Sequence, residues 1–122
     1  IFARQILLNE AVRIDWDGEQ QKDYVYVRDV ARANMLALTR GDGEAYCIAT
    51  GEGTSVNQLY QGLTTIVGQE AAVVHAPKRP GDIYLTYFDC SKARRDLDWE
   101  AEIDLEQGLM LTIDYFQDNF LY

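Results

Sequence analysis

Ser55-Val56-Asn57-Gln58 is a capping-box pattern, and the apolar residues after it, Val56, Leu59, Leu63, Ile66 and Val67, recur at helical spacing until Gly68. A helix with so regular a stripe must bury it against other elements. Strand-length apolar runs flank it: Ala45 to Ala49, closed by Thr50-Gly51-Glu52-Gly53, and Ala71 to Ala76. A helix set between two strands argues for a mixed arrangement, α/β or α+β.

The rest of the chain continues the alternation. Residues 1 to 9 place Phe2, Ile6 and Asn9 in one row with Leu7 and Leu8 beside it, the last turns of an amphipathic helix whose partner surface is expected to be missing. After the Asp17-Gly18 turn, Asp23 to Val27 alternates aromatic with β-branched residues and predicts a strand. Asp29 is placed to cap a helix from Val30 to Leu38, in which Ala31, Ala33 and Ala37 permit close packing, and Gly41-Asp42-Gly43 stops it. Ser91 opens a short helix through Leu97, and Trp99 follows. Asp104-Leu105-Glu106-Gln107 then starts a helix carrying Leu105, Leu109, Ile113, Phe116 and Phe120 on one stripe.

The 122 residues carry a net charge of −9, so a nucleic acid would have to approach against the field of the chain. No nucleic-acid partner is expected. Between residues 78 and 95 the sign reverses, with Lys78, Arg79, Lys92, Arg94 and Arg95 against Asp82 and Asp89. Lys92, Arg94 and Arg95 suit the wet face of a short helix. Arg79 is different, because Pro77, Pro80 and Gly81 make its loop stiff and incompatible with a helix. A stiff loop holds a charge in place.

Cys47 and Cys90 form no CxxC pair and suggest neither a disulfide framework nor a zinc site; a reducing cytoplasm is the expected setting. No targeting or membrane segment is read, and the start at Ile1, already in a helical pattern, suggests a piece of something longer. Four residues before the three lysines, Lys22, Lys78 and Lys92, stand Gly18, Val74 and Phe88, so no tyrosine shares a helical face with a lysine at that spacing. Gly51-Glu52-Gly53 lacks a third glycine and a P-loop lysine. His75, the single histidine, has no nucleophile motif beside it and reads as a strand residue. The carboxylates Asp15, Asp17 and Glu19 lack metal-ligand spacing and read as a solvated face. No residues of catalytic type are assigned.

Four motifs in order carry a resemblance. They are Gly18-Glu19-Gln20-Gln21-Lys22-Asp23-Tyr24-Val25-Tyr26-Val27-Arg28-Asp29-Val30-Ala31-Arg32-Ala33, Ile48 to Val56, Arg79-Pro80-Gly81-Asp82, and Asp89-Cys90-Ser91-Lys92-Ala93 ending in Leu97-Asp98-Trp99. Together they resemble the second half of extended short-chain dehydrogenase/reductases, the NAD-dependent epimerase/dehydratase family, with UDP-glucose 4-epimerases as the nearest type. The resemblance implies an α/β fragment, residues 1 to 122, from the carboxy-terminal substrate-binding part, lacking most of the Rossmann domain. It implies that residues 24 to 49 pack on that absent domain. NAD would serve the parent enzyme, and none is expected to bind this fragment alone.

The implied partner is a nucleotide-diphosphate sugar. Carried over position by position, Lys22 matches an arginine that contacts the diphosphate, and Arg79 and Asp82 match positions that hold diphosphate and nucleoside. The chemistry of the residue types agrees: a guanidinium presents a planar fork to two phosphate oxygens, and a carboxylate accepts from ribose hydroxyls. Lys22 departs from the usual arginine and supplies charge without the fork. Cys47 and Ala49 stand where asparagine and glycine are common, and Trp16 where a small residue is. The rivals are a decarboxylase or reductase of the same fold, and an interaction module using the Phe2, Ile6 and Leu7 face. Uncovered apolar surface would also allow a homo-oligomer.

Overall fold

The computed structural model describes residues 1–120, apart from the side chain of Phe120. The elements run α1 (Phe2–Leu7), β1 (Val12–Asp15), β2 (Gln21–Lys22), α2 (Val27–Ala37), β3 (Thr54–Ser55), α3 (Val56–Val67), β4 (Val73–Ala76), α4 (Ser91–Leu97) and α5 (Leu105–Phe120). The architecture is mixed α/β, as the alternation predicts.

Helix α3 forms as its ends dictate. Ser55 accepts from the Gln58 backbone N–H at 3.1 Å while the Gln58 side chain accepts from the Ser55 N–H at 2.8 Å, so both members of the capping box are engaged. Gly68 ends the helix at φ +70°, a left-handed conformation that glycine adopts without cost. Helix α5 begins with half of the same device, the Asp104 carboxylate accepting from the Gln107 N–H at 2.8 Å.

Strands β1 and β4 pair in parallel, Val12 opposite Val73 and Asp15 opposite Ala76, and the intervening chain crosses over through α3. Along β1 the side chains alternate, Val12 and Ile14 buried and Arg13 exposed. The buried pair joins Ile6 of α1, Leu63 of α3 and Ile113 of α5 in one core, flanked by Phe2, Leu7, Leu59, Leu109 and Phe116. The α5 stripe is thereby accounted for as far as Phe116; the Phe120 side chain lies outside the described residues. The α1 face is likewise covered, Ile6 fully buried and Phe2 and Leu7 packed on the core, so its partners are α3 and α5 of the same chain. That corrects the expectation of a missing partner surface.

A second core joins α2 to α4 through Ala33, Ala93, Leu97 and the fully buried Trp99. Of the three small residues on α2, Ala33 makes the close packing, while Ala31 and Ala37 are exposed. Asp29 does not cap this helix. The helix starts earlier, at Val27 with the extended Tyr26 before it, and Asp29 is buried within its first turn. The carboxylate accepts the backbone N–H groups of Glu102 and Ile103 at 3.1 and 3.0 Å and so ties α2 to the segment before α5.

Two expected strands differ. Asp23 to Val27 carries no ladder: β2 is confined to Gln21–Lys22, paired antiparallel with Thr54–Ser55. Beyond it the Asp23 carboxylate replaces the ladder, accepting from the Thr50 N–H and hydroxyl at 2.8 and 2.6 Å and from the Gly51 N–H at 2.9 Å. Residues 45 to 49 have no strand partner among the described residues. Side chains hold that run instead, Lys92 donating to the Ala45 carbonyl and Cys90 to that of Ala49.

Candidate functional site

The loop after β4 returns across the ends of β1 and β2. Asp82 donates its N–H to the Arg79 carbonyl at 3.2 Å, closing a turn in which Gly81 sits at φ +80°. Gln21 then clasps the outgoing chain, its N–H donating to Tyr84 and its carbonyl accepting from Thr86. Residues distant in sequence thereby meet at one edge of the molecule.

Two of the three expected binding residues touch. The Lys22 ammonium lies 3.2 Å from an Asp82 carboxylate oxygen and donates to the Ile83 carbonyl at 2.9 Å. Both side chains are about one-third exposed, 35% and 30%, so the pair stays within reach of a ligand. Arg79 instead takes Asp15, Nε to Oδ2 at 2.6 Å, with its own side chain 68% exposed.

Asp15 is the residue that sequence reasoning missed. It read as part of a solvated acidic face, yet its side chain is only 17% exposed and lies between Arg79 and Arg13, whose Nε is 2.8 Å from the other oxygen. Only the parallel pairing of β1 with β4 brings position 15 beside the loop after position 76. Its i+2 relation to Arg13 was the signal available, since alternate residues of a strand share a face.

Trp16 completes the surroundings. Its backbone is left-handed at φ +59°, its ring meets Tyr84 edge-on at 5.6 Å, and the Lys78 ammonium lies 4.0 Å from the ring centroid. Its carbonyl contacts Nδ1 of His75 at 2.8 Å, a backbone contact from a strand side chain. Lys92, Arg94 and Arg95 pair with Glu44, Glu100 and Asp96 along α4. They form the wet helix face expected of them and leave Lys22, Lys78 and Arg79 as the cations at the loop. A cavity of about 160 Å³ between Tyr24, Leu59, Leu105 and Leu109 lies apart from these groups. Burial raises the pKa of the Tyr24 phenol there.

A model of the GDP-mannose 4,6-dehydratase family matches residues 2–112. The UDP-glucose 4-epimerase of Thermotoga maritima, solved with UDP-glucose, superposes at a TM-score of 0.93 with 46% identity over 96% of this chain and 38% of that protein. The chain belongs to the epimerase/dehydratase family of extended short-chain dehydrogenase/reductases. Another member, the UDP-glucose 4-epimerase of Thermus thermophilus solved with NAD, gives a TM-score of 0.90 at 30% identity, over 97% of this chain and 39% of that one. A protein of Methanocaldococcus jannaschii, provisionally named a UDP-glucose 4-epimerase, is 37% identical over 119 residues, 98% of this chain. The chain spans 38% of that relative's length.

The Thermus thermophilus relative was solved with NAD, and the glycine-containing turn before α3 of this chain does not suit the pyrophosphate of such a cofactor. The glycine-containing turn before α3 would have to offer free backbone N–H groups to a pyrophosphate. Those of Thr50 and Gly51 are taken by the Asp23 carboxylate, that of Ser55 by Gln58, and that of Gln58 by Ser55.

Proposed function

We propose that this chain is the nucleotide-sugar-binding part of an NAD-dependent epimerase of the UDP-glucose 4-epimerase type. Arg79, Lys22 and Asp82 form its diphosphate and nucleoside clamp. The observation that carries the reading is the folding of the Arg79 to Asp82 loop onto Lys22, 60 residues away, which gathers cations and one ribose-type acceptor at a single edge. The relative from Thermotoga maritima was solved with UDP-glucose, which supports this class of ligand.

The hydride chemistry belongs to residues outside this chain in such an enzyme, together with the NAD site. The outer face of α2 supports a docking role for residues 24 to 49. Val27, Met35 and Leu38 are 68%, 66% and 75% exposed there, one apolar stripe opposite the face that packs on Trp99. We assign that stripe to the Rossmann domain. The rival reading as an interaction module relied on the α1 face, which the chain's own α3 and α5 cover.

Calorimetric titration of the protein with UDP-glucose tests the assignment. Arg79→Ala is expected to weaken binding by about 2 kcal/mol or more, the loss of a charged hydrogen-bonding partner. Unchanged affinity would sink it. A decarboxylase of the same fold would keep the UDP competition and differ in the sugar product, whereas a reductase of a non-nucleotide substrate would show no competition by UDP.

A further inference from the structure

We infer that Asp15 is a positioning residue for Arg79, setting the guanidinium so that its Nη edge faces an incoming phosphate; the inference rests on the clamp proposed above. An exposed arginine has many rotamers to lose on binding an anion. Arg79 has already lost some of them. Its Nε lies 2.6 Å from an oxygen of Asp15 in an ion pair, and the guanidinium makes no hydrogen bond among the described residues.

The anchor itself is fixed from three directions. Asp15 ends β1 in register with Ala76 of β4, its carbonyl accepts from the Gln20 side chain at 3.1 Å, and its second carboxylate oxygen is held by Arg13 at 2.8 Å. A carboxylate fixed in this way stands at the Nε side of the guanidinium, and on the proposed role the Nη edge is the one that meets the phosphate. Arg13 shares the charge of Asp15, so the acid does not cancel Arg79 alone.

Charge and geometry make opposite predictions, which renders the idea testable. A carboxylate acting only as a negative charge would oppose an anionic ligand, and its removal would tighten binding. A carboxylate that orients Arg79 would weaken binding when lost, unless another acceptor replaced it. Isothermal titration of the protein with UDP should therefore find Asp15→Ala about three- to tenfold weaker than the unsubstituted protein, the range for losing one pre-set long side chain. Asp15→Asn, which keeps an acceptor oxygen without the charge, should restore binding to within about twofold.

Nitrogen-15 relaxation should agree, with Arg79 Nε more ordered in the unsubstituted and Asn proteins than in the Ala protein. Asp15→Ala binding as tightly as, or more tightly than, the unsubstituted protein overturns the inference, and so does an Asn variant as weak as the Ala variant. Arg79→Ala in the same series separates the two levels. Should it leave UDP affinity unchanged, or should the unsubstituted protein not bind UDP, the clamp falls and the inference falls with it. If Arg79→Ala weakens binding while Asp15→Ala does not, only the positioning role fails.

Discussion

The indole N–H of Trp99 donates to the backbone carbonyl of Asp29 at 2.9 Å, joining the first turn of α2 to a residue 70 positions later in the chain. Trp99 is fully buried, and Asp29 beside it is 2% exposed. Through its carboxylate Asp29 reaches Glu102 and Ile103, and Arg32 pairs with Asp29 and donates to the Glu100 carbonyl. One short helical turn thus anchors the whole approach to α5.

Removing either partner should be costly. Trp99→Phe leaves a buried carbonyl without its donor and a gap where the larger ring lay, and we expect a loss of about 2–4 kcal/mol of unfolding free energy. Asp29→Ala strands two backbone N–H groups and leaves Arg32 with Glu102 as its carboxylate partner, with an expected loss of similar size. Urea denaturation followed by circular dichroism measures both. A loss below about 1 kcal/mol for Asp29→Ala would show that the hub matters little.

Gly18 makes a sharper local test. It sits at φ +77°, and a Cβ there would lie 2.1 Å from Oδ1 and 2.7 Å from Cγ of Asn57. Asn57 cannot move freely, because its amide nitrogen donates to the Asp17 carbonyl and Glu19 carboxylate and its backbone N–H donates to Gly18. Gly18→Ala should therefore cost the left-handed strain of about 1–2 kcal/mol plus part of the Asn57 contacts. A thermal melt of the variant should fall by several degrees.

These hubs explain what the sequence could and could not reveal. Helices α3, α4 and α5 were legible because their signals are local: a capping box, a glycine stop and an apolar stripe within a few turns. The loop after β4 was legible because Pro77 and Pro80 confine it. Asp29 and Asp23 act beyond the reach of local patterns, although each is a short acidic residue next to a helix start or an expected strand start. Local rules assign such residues to a cap or a polar face. In the fold each reaches backbone N–H groups 27 to 74 residues away, a choice that no local pattern encodes. Asp15 was missed on the same ground, because its partner Arg79 reaches it only through the pairing of β1 with β4. Residues 45 to 49 are the converse case, apolar enough for a strand yet held by the side chains of Cys90 and Lys92.

Cys47 and Cys90 should differ in how their reactivity responds to pH. Cys47 is exposed, whereas Cys90 is half-buried and directs its thiol to the Ala49 carbonyl at 3.3 Å. Burial raises the pKa of the Cys90 thiol, and the carboxylates of Asp23 and Asp89 push the same way. A raised value means that the fold favours the protonated thiol. The stability it contributes is complete below the unfolded cysteine pKa of about 8.5 and is lost as pH climbs through the higher folded value. Because the thiolate is the nucleophile, reaction with an aromatic disulfide at pH 8 should consume Cys47 first. In a Cys47→Ser variant Cys90 should react about tenfold more slowly than an unhindered thiol, and accelerate as pH is raised past 9. Reaction of Cys90 at the rate of a free thiol at pH 8 would mean that the contact with Ala49 is open much of the time, and with it the attachment of residues 45 to 49 to α4.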